Sequence, residues 1–382
     1  MSKMRKIFFI LVIVLVSALS GIIANQYVFP YLATIKFFSK YSFFKKTTND
    51  VTVINKTEQV YVKDDTSVGK IAAPVISSVV NIISTETVAE KKGQAVTLPI
   101  SKNGTGVIAT SDGLVMTYLN AILPQNANYK VITNDNNIYD ATLLDIDSYS
   151  NLAFLKINAS NLSAVSFGNS DDAVIGERVI AIGNTSGIYD SFFATGILNR
   201  FNYEYNLSDK TIASSEKMEG VFEADLTRKA DFVGGPLIDY SGQMIGLTGE
   251  NDRDGKIFFF QIPSNKIKNV LAKEINKTIA NNSTLGIYYL PITKTYALLN
   301  NLAVQNGAVV YSPSTQQGLA IIANSPAADA GLKLGDIITA VSGDKITDSQ
   351  TLPDLLYKHN KGEKIELTIL RNSQETKINV QL

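Results

Sequence analysis

Short apolar runs alternate with polar turns along the middle of the chain. From Val79 to Ile262 these runs recur at intervals of about eight to twelve residues and are separated by Asn, Asp, Gly and Ser. Hairpin turns such as Asp112-Gly113 and Ser241-Gly242 join several of them. The spacing is typical of antiparallel barrels or a sandwich, so the fold class is predicted to be mainly β. Helical periodicity over Ser264–Lys277 predicts a helix that closes this region.

The N-terminus has a different pattern. Residues 1–6 carry three basic side chains, and an uninterrupted apolar or small-residue run follows from Ile7 to Ala24. A run of this length is enough for a helix to cross a bilayer, and basic residues are expected on the cytoplasmic side. The sequence therefore predicts a cytoplasmic end over 1–6 and a single-pass transmembrane anchor over 7–29. The alternative is a cleaved signal peptide, because Ala18-Leu19-Ser20 has small residues at suitable positions.

Residues 30–70 are predicted to be a juxtamembrane linker. Their first half mixes aromatic and basic side chains, as in Phe37 to Lys46, and is compatible with lying along a membrane surface. The second half is polar and lacks periodicity, which favours a solvated tether.

The amino-acid composition excludes several kinds of functional site. The 382 residues contain 35 basic and 35 acidic side chains, so the net charge is zero and gives no overall electrostatic attraction for nucleic acid. The absence of cysteine excludes disulfides and thiolate metal sites, and one histidine, His359, excludes a multi-histidine metal site. No cofactor or metal is expected. His359 falls at the end of a predicted helix, where an exposed cation interacts favourably with the helix dipole.

The stretch Ala230–Leu237 is the most informative in the chain. It reads Ala-Asp-Phe-Val-Gly-Gly-Pro-Leu and leads from a tight Gly-Gly-Pro turn into an apolar strand. In trypsin-like serine proteases such a turn presents the nucleophilic serine, but the corresponding residue here is Val233, which has no nucleophilic atom. Taken alone, the turn is equally compatible with a glycine-rich hairpin of another β protein.

Further motifs follow in an order and at a spacing that resemble the HtrA/Deg family of trypsin-fold serine proteases with C-terminal PDZ domains. The resemblance covers about Ile71 to Leu382 and implies a trypsin-like double β-barrel over 71–277 and a PDZ domain over 284–382. The motifs are Gly104-Thr105-Gly106-Val107-Ile108, Asp112-Gly113-Leu114-Val115-Met116-Thr117, Asn151-Leu152-Ala153-Phe154-Leu155-Lys156-Ile157, Gly176 to Asn184, Thr195-Gly196-Ile197 and Gly234-Gly235-Pro236-Leu237.

The chain departs from this family at the catalytic positions that the resemblance implies. Asn120 stands at the position of the histidine base, Asn151 at that of the aspartate and Val233 at that of the serine. Asp231 replaces a glycine whose N–H contributes to the oxyanion hole, and its carboxylate would oppose a developing oxyanion. From these substitutions we predict that the chain has no catalytic residues and is not an enzyme.

The alternative is that a different set of side chains replaces the triad. Ser214, Ser215 and Ser241 with Lys229 could be imagined as a Ser–Lys dyad, but nothing in their spacing selects a pair. The carboxylates of Asp145 and Asp147 are explained equally well by a solvated strand end.

The run Ser325–Ile338 resembles the Ser-Pro-Ala-x-x-Ala-Gly-Leu-x-x-Gly-Asp-x-Ile sequence of bacterial PDZ domains. Such domains hold a peptide's C-terminal carboxylate on backbone N–H groups of an apolar-Gly-apolar loop, and the peptide adds as a strand to the following sheet edge. The resemblance therefore implies an edge strand over Ile287–Leu290 and a facing helix. The alternative is an ordinary strand start with a blocked groove. The predicted peptide-binding residues are Leu285, Gly286, Ile287, Tyr289, Leu352 and Leu356.

These observations predict a bacterial, membrane-anchored, extracytoplasmic HtrA-like protein that binds unfolded or C-terminal peptide segments as a scaffold or quality-control adaptor. A homotrimer is compatible with the family's assembly. The alternatives are an extracytoplasmic serine endopeptidase acting in protein quality control, and a holdase that uses the barrel cleft.

Overall fold

The computed structural model describes residues 2–28, 31–32, 68–86, 100–124, 126–184, 191–208, 212–253, 255–313 and 320–382. Most of the linker predicted over 30–70 lies outside these residues.

The predicted anchor lies in an N-terminal unit, residues 1–63. Helix α1 spans Ser2–Ile23 and continues into a π-helical turn over Ala24–Val28. Its segment Arg5–Ile23 is 19 residues long and is apolar enough to cross a membrane by length and composition.

Two closed six-stranded barrels follow a short helix, α2 (Val68–Ile76). The first barrel consists of β1 (Val79–Glu86), β2 (Ser101–Ile108), β3 (Leu114–Tyr118), β4 (Ala127–Ile132), β5 (Ile138–Asp147) and β6 (Leu152–Ile157). The second consists of β7 (Arg178–Gly183), β8 (Phe192–Asn206), β10 (Glu219–Asp225), β11 (Pro236–Ile238), β12 (Met244–Arg253) and β13 (Lys256–Pro263). The first has the strand order β1-β2-β3-β6-β5-β4, and the second β10-β13-β12-β11-β7-β8, with every pairing antiparallel.

Each barrel has its own apolar core, and a third core lies where the barrels meet. Val80 and Leu155 belong to the first interior, and Val179 and Leu237 to the second. The shared cluster takes side chains from both barrels and from α2, so burying it joins the three elements. Helix α3 (Ser264–Ile275) packs its apolar face on the same cluster, as the helical periodicity predicted.

The C-terminal domain contains β14 (Tyr288–Ile292), α4 (Lys294–Leu299), β15 (Gly307–Val310), α5 (Pro326–Asp329), β16 (Ile337–Val341), β17 (Asp344–Lys345), α6 (Leu352–Tyr357), β18 (Lys364–Arg371) and β19 (Gln374–Gln381). A further strand of its sheet, β9 (Ala213–Ser214), comes from the connection between β8 and β10 of the second barrel. The sheet is antiparallel with the order β19-β18-β16-β15-β14-β9, and β17 pairs with β16.

The predicted mainly β fold class is confirmed: two six-stranded barrels, a C-terminal domain on an antiparallel sheet and an N-terminal apolar helix are present. The edge strand predicted over Ile287–Leu290 is displaced, since β14 begins at Tyr288 and ends at Ile292.

Candidate functional site

The turn that carries Val233 lies between the barrels. Val233 is 5% exposed and belongs to the core cluster that the barrels share, so it fills the interior instead of facing solvent. A Cβ on Gly234 would lie 2.2 Å from the Thr105 carbonyl oxygen, and Gly234 has a φ of +84°. A Cβ on Gly235 would lie 2.1 Å from the Ile182 carbonyl oxygen. Because only glycine fits such close approaches, the Gly-Gly pair is explained by contact with both barrels.

Asn120 is connected to this turn through β12. It lies in a 3₁₀ turn directly after β3, and its exposed side chain donates from Nδ2 to the Glu250 carbonyl oxygen at 3.3 Å. The Gly234 N–H donates to the Thr248 carbonyl oxygen at 2.8 Å, two residues earlier on β12. The backbone of β12 therefore brings the position of Asn120 to the turn.

Asn151 lies beside Asn120. It has a left-handed φ of +58°, and its carbonyl oxygen accepts the Leu119 N–H at 2.8 Å. Its side chain donates from Nδ2 to the Tyr118 hydroxyl at 3.3 Å and accepts at Oδ1 from Lys217 Nζ at 2.9 Å. The three positions that the resemblance aligned with a triad are thus brought to one region.

The backbone around Asp231 forms a 3₁₀ turn over Lys229–Phe232. Arg228 Nε lies 2.5 Å from the Asp231 carboxylate oxygen Oδ2. The Asp231 N–H donates to the Arg228 carbonyl oxygen at 3.0 Å, and the Val233 N–H to the Ala230 carbonyl oxygen at 3.4 Å. In this conformation both N–H groups are engaged with carbonyl groups of the same turn.

The serines considered for a Ser–Lys dyad lie in different elements. Ser214 and Ser215 are beside the C-terminal sheet, and their hydroxyls donate to the Glu216 carboxylate at 2.9 and 2.7 Å. Ser241 lies in the turn between β11 and β12 and donates to Asp239 Oδ1 at 2.7 Å. The structure does not gather them into one site.

The predicted carboxylate-binding loop has a carboxylate in it. The N–H groups of Leu285 and Gly286 donate to one oxygen, Glu216 Oε1, at 3.1 and 2.8 Å. Gly286 has a φ of +82°, and a Cβ there would lie 2.3 Å from Ser325 Cβ, so the loop conformation requires glycine. Leu285 and Ile287 on either side are fully buried and anchor the loop in the domain core.

The sheet edge next to this loop is occupied as well. Strand β9 pairs antiparallel with the end of β14 that carries Tyr288 and Tyr289. The Ser215 N–H then donates to the Ile287 carbonyl oxygen at 3.1 Å, and Ser215 Oγ accepts the Ile287 N–H at 3.1 Å. We call residues 213–216 the internal segment. Sequence reasoning missed it, because Ala-Ser-Ser-Glu has the composition of any loop.

The other predicted groove residues lie together in one buried cluster. Leu352 and Leu356 on α6 and Tyr289 on β14 belong to it, and so does Ala213 of the internal segment, which is 5% exposed. The Tyr289 hydroxyl donates to the buried Glu219 carboxylate of β10. The internal segment therefore contributes an apolar side chain as well as backbone bonds to the C-terminal domain.

Asp147 is not at a solvated strand end. It is fully buried, and its carboxylate accepts from the Tyr357 hydroxyl at 3.1 Å and from Asn282 Nδ2 at 2.8 Å. Ser150 Oγ donates to its other oxygen at 2.5 Å. A first-barrel carboxylate therefore ties the C-terminal domain to the barrels, which the sequence interpretation did not foresee.

A second polar cluster joins the same domains. Lys266 Nζ of α3 lies 2.7 Å from the Asp354 carboxylate of α6, which also accepts from the Tyr149 hydroxyl. Lys266 donates in addition to the Glu219 carbonyl oxygen. Burial raises the pKa of Glu219 to about 8, against the opposing effect of the hydrogen bond from Tyr289.

His359 lies two residues beyond α6 and is half-buried instead of exposed. Its Nδ1 is 3.0 Å from a Glu363 carboxylate oxygen, and its Nε2 is 3.4 Å from the Ser342 hydroxyl. These contacts explain the residue without a ligand.

Comparisons with known proteins agree with this architecture. A trypsin-like peptidase domain model matches residues 104–247, and a PDZ domain model matches residues 284–382. The "Serine protease Do-like HtrA" of Lactococcus lactis subsp. cremoris is 30% identical over 302 residues, covering 75% of this chain and 72% of that protein. The chain belongs to the HtrA family.

Other HtrA relatives are longer. The "Probable periplasmic serine endoprotease DegP-like" of Brucella suis biovar 1 is 30% identical over 284 residues, which cover 73% of this chain and 52% of that protein. The chain spans about half the length of the first of the curated relatives it matches. "Serine protease HTRA1" of Xenopus tropicalis is 29% identical over 282 residues, covering 73% of this chain and 59% of that protein.

Solved HtrA structures share the fold. The HtrA-type protease AlgW with a tripeptide superposes with a TM-score of 0.62 at 23% identity, covering 82% of this chain and 95% of that chain. The same protease with a decapeptide gives 0.59 at 21% identity, covering 82% of this chain and 97% of that chain.

The prediction that the chain is not an enzyme is contradicted by these comparisons. The relatives are named serine proteases, and the peptidase-domain model covers strands β3 to β11 with parts of β2 and β12. The roles inferred for Asn120, Asn151, Val233 and Asp231 stay predictions.

Proposed function

We propose that this HtrA-family chain binds unfolded or C-terminal peptide segments of proteins through its PDZ domain and serves protein quality control. The observation that carries the proposal is the convergence of the Leu285 and Gly286 N–H groups on one carboxylate oxygen. Two backbone donors aimed at one oxygen suit the carboxylate at the end of a peptide, which PDZ domains bind in such a loop.

The neighbouring elements supply the rest of a peptide site. A peptide added along the edge of β14 would continue the antiparallel sheet, and α6 would form the opposite wall. Affinity would come from backbone hydrogen bonds and from burial of an apolar side chain near Leu352 and Leu356. Nothing in this binding mode requires a titrating group.

The test is peptide binding to the full chain in detergent, measured by fluorescence anisotropy with a labelled decapeptide that ends in Val. We expect binding that weakens when the peptide is amidated at its C-terminus. Gly286→Val should abolish binding, because its side chain would collide with Ser325. Gly69→Val is the matched control, since a Cβ there meets nothing within 4 Å. Equal binding by the Gly286→Val variant and the native chain would contradict the site.

A second candidate function is cleavage of unfolded proteins as a serine-type endopeptidase. The names of the relatives support it, since they are serine proteases and periplasmic serine endoproteases. Val233 supplies no nucleophile, and the Asp231 and Val233 N–H groups are engaged with carbonyl groups, so an endopeptidase activity would have to use other residues of the chain.

Turnover of unfolded casein by the full chain tests this candidate. The comparison is a variant carrying Asn120→His, Asn151→Asp and Val233→Ser, which would place the conventional groups at the three positions. Casein cleavage that persists through purification to homogeneity supports an endopeptidase. No cleavage by the native chain would count against it.

We also propose that α1 anchors the chain in the cytoplasmic membrane with its N-terminus inside, which its length, its apolar composition and the periplasmic relatives support. The chain contains no native cysteine, so single substitutions can be labelled selectively. A membrane-impermeant maleimide should label Ser349→Cys and not Ser2→Cys in intact cells. The reverse pattern would contradict the topology.

A homotrimer, as the family resemblance implies, would give three times the chain mass in light scattering.

A further inference from the structure

The internal segment occupies the place that the proposed function gives to an outside peptide. It runs antiparallel to β14, with Ser214 opposite Tyr288 and Ala213 opposite Tyr289. Its direction takes it toward the loop at Gly286, as a peptide's C-terminal end would run. It is nevertheless part of the connection between two strands of the second barrel.

The side-chain carboxylate of Glu216 takes the place that the C-terminal carboxylate of a bound peptide would have in this loop. Its Oε1 accepts the N–H groups of Leu285 and Gly286 and the Ser215 hydroxyl, and its Oε2 accepts the Ser214 hydroxyl. Four donors therefore hold one carboxylate, which is the group that the loop is suited to bind.

Asn206 on β8 fixes the shape of the internal segment. It is 3% exposed, and its Nδ2 donates to the carbonyl oxygens of Ser214 and Lys217 at 3.1 and 2.9 Å. Its Oδ1 accepts the Ser214 N–H at 3.2 Å. Because the barrel presets the segment, little conformational entropy is lost when the segment enters the groove.

We infer that residues 213–216 are an internal ligand of the PDZ groove, so that an outside peptide binds only when this segment leaves. The inference rests on the proposed function. A segment tethered on the same chain has an effective concentration on the order of millimolar, so a free peptide at micromolar concentration competes poorly. A competitor must supply a carboxylate to the loop, from a chain end or from a glutamate in a turn.

Release of the internal segment would also affect the barrels, because the residue that follows it, Lys217, contacts them. Lys217 donates from Nζ to Asn151 Oδ1 at 2.9 Å and to the Ser148 carbonyl oxygen. Moving Glu216 out of the loop therefore displaces a side chain that contacts the region between the barrels.

The first test compares peptide affinities of the full chain in detergent, with the Val-terminated decapeptide as probe. Glu216→Ala removes the internal carboxylate, and Glu375→Ala is the matched control, an exposed glutamate on β19 at the opposite edge of the sheet. We expect at least tenfold tighter binding by Glu216→Ala and native affinity for Glu375→Ala. Equal affinities for the native chain and Glu216→Ala, with binding still lost in Gly286→Val, would overturn the inference and leave the proposed function intact.

The second test detects the segment directly. Ser214 and Tyr288 face each other across β9 and β14, and cross-strand pairs lie within the Cα separation that a disulfide spans. Ser214→Cys with Tyr288→Cys should form an intramolecular disulfide under mild oxidation, and the oxidised chain should lose peptide binding until it is reduced. The single variants should form none.

If no variant binds the peptide, the proposed function fails. Disulfide formation would then still support an internal ligand, whereas its absence in the double variant would overturn the inference.

Discussion

Lys266 of α3 and Asp354 of α6 form an ion pair at 2.7 Å, with their side chains 15% and 14% exposed. The two residues belong to different domains, and the pair lies beside the buried carboxyl group of Glu219. A pair this far from solvent costs more free energy when it loses one partner than a surface pair does, because the remaining charge is left without compensation.

Lys266→Met should therefore lower the free energy of unfolding by about 3 kcal/mol. The control is Lys130→Met, which removes the partner of Asp140 in a pair of similar length, 2.6 Å, whose side chains are 56% and 89% exposed. That change should cost less than about 1 kcal/mol. Urea denaturation of both variants measures the difference, and similar costs would show that the pair between the domains is no stronger than a surface pair.

The free energy of unfolding should decrease as pH rises, because Glu219 is buried and titrates at a raised pKa. Its pKa is about 8 in the folded chain and near 4.5 in an unfolded one, because burial disfavours the charged form. Between these values the unfolded state releases a proton that the folded state retains, so this residue's contribution to the free energy of unfolding decreases as pH rises and levels off above 8.

Glu219→Gln removes this titration. The difference in melting temperature between the variant and the native chain should shift in the variant's favour from pH 5 to pH 8, and Glu375→Gln should show no such trend. A constant difference over that range would contradict the raised pKa.

Gly234→Ala should destabilise the barrels more than Gly255→Ala. Both glycines have positive φ, +84° and +77°, which costs an alanine about 1 kcal/mol. Only Gly234 also meets backbone, since its Cβ would lie 2.2 Å from the Thr105 carbonyl oxygen, whereas nothing lies within 4 Å at Gly255. We expect Gly234→Ala to cost about 3 kcal/mol in total, with overpacking as the added part. Equal melting temperatures for the two variants would show that the turn can move.

Asn206→Ala should loosen the internal segment. It removes three hydrogen bonds to Ser214 and Lys217, so amide exchange at Ser214 and Ser215 should accelerate at least tenfold. Asn202→Ala, on the same strand, removes a side-chain bond to Glu223 and serves as the control. Unchanged exchange in the Asn206→Ala variant would show that β14 alone holds the segment.

The sequence by itself determined the fold class and the family. Alternating apolar runs with hairpin turns predicted the barrels, and ordered motifs predicted the trypsin-like and PDZ domains. The apolar-Gly-apolar pattern at Gly286 is a local property of the sequence, so the sequence predicted a carboxylate-binding loop there, and that role stays a prediction.

Only the tertiary structure decided what lies in that loop and how the domains are joined. Glu216 is separated from Gly286 by 70 residues, and Asp147 from Tyr357 by 210. Local periodicity records which face of a strand or helix is buried, but it carries no information about which distant loop pairs with a sheet edge. Burial of Asp147 and insertion of the internal segment depend on the packing of whole domains, and hence appear only once the chain is folded.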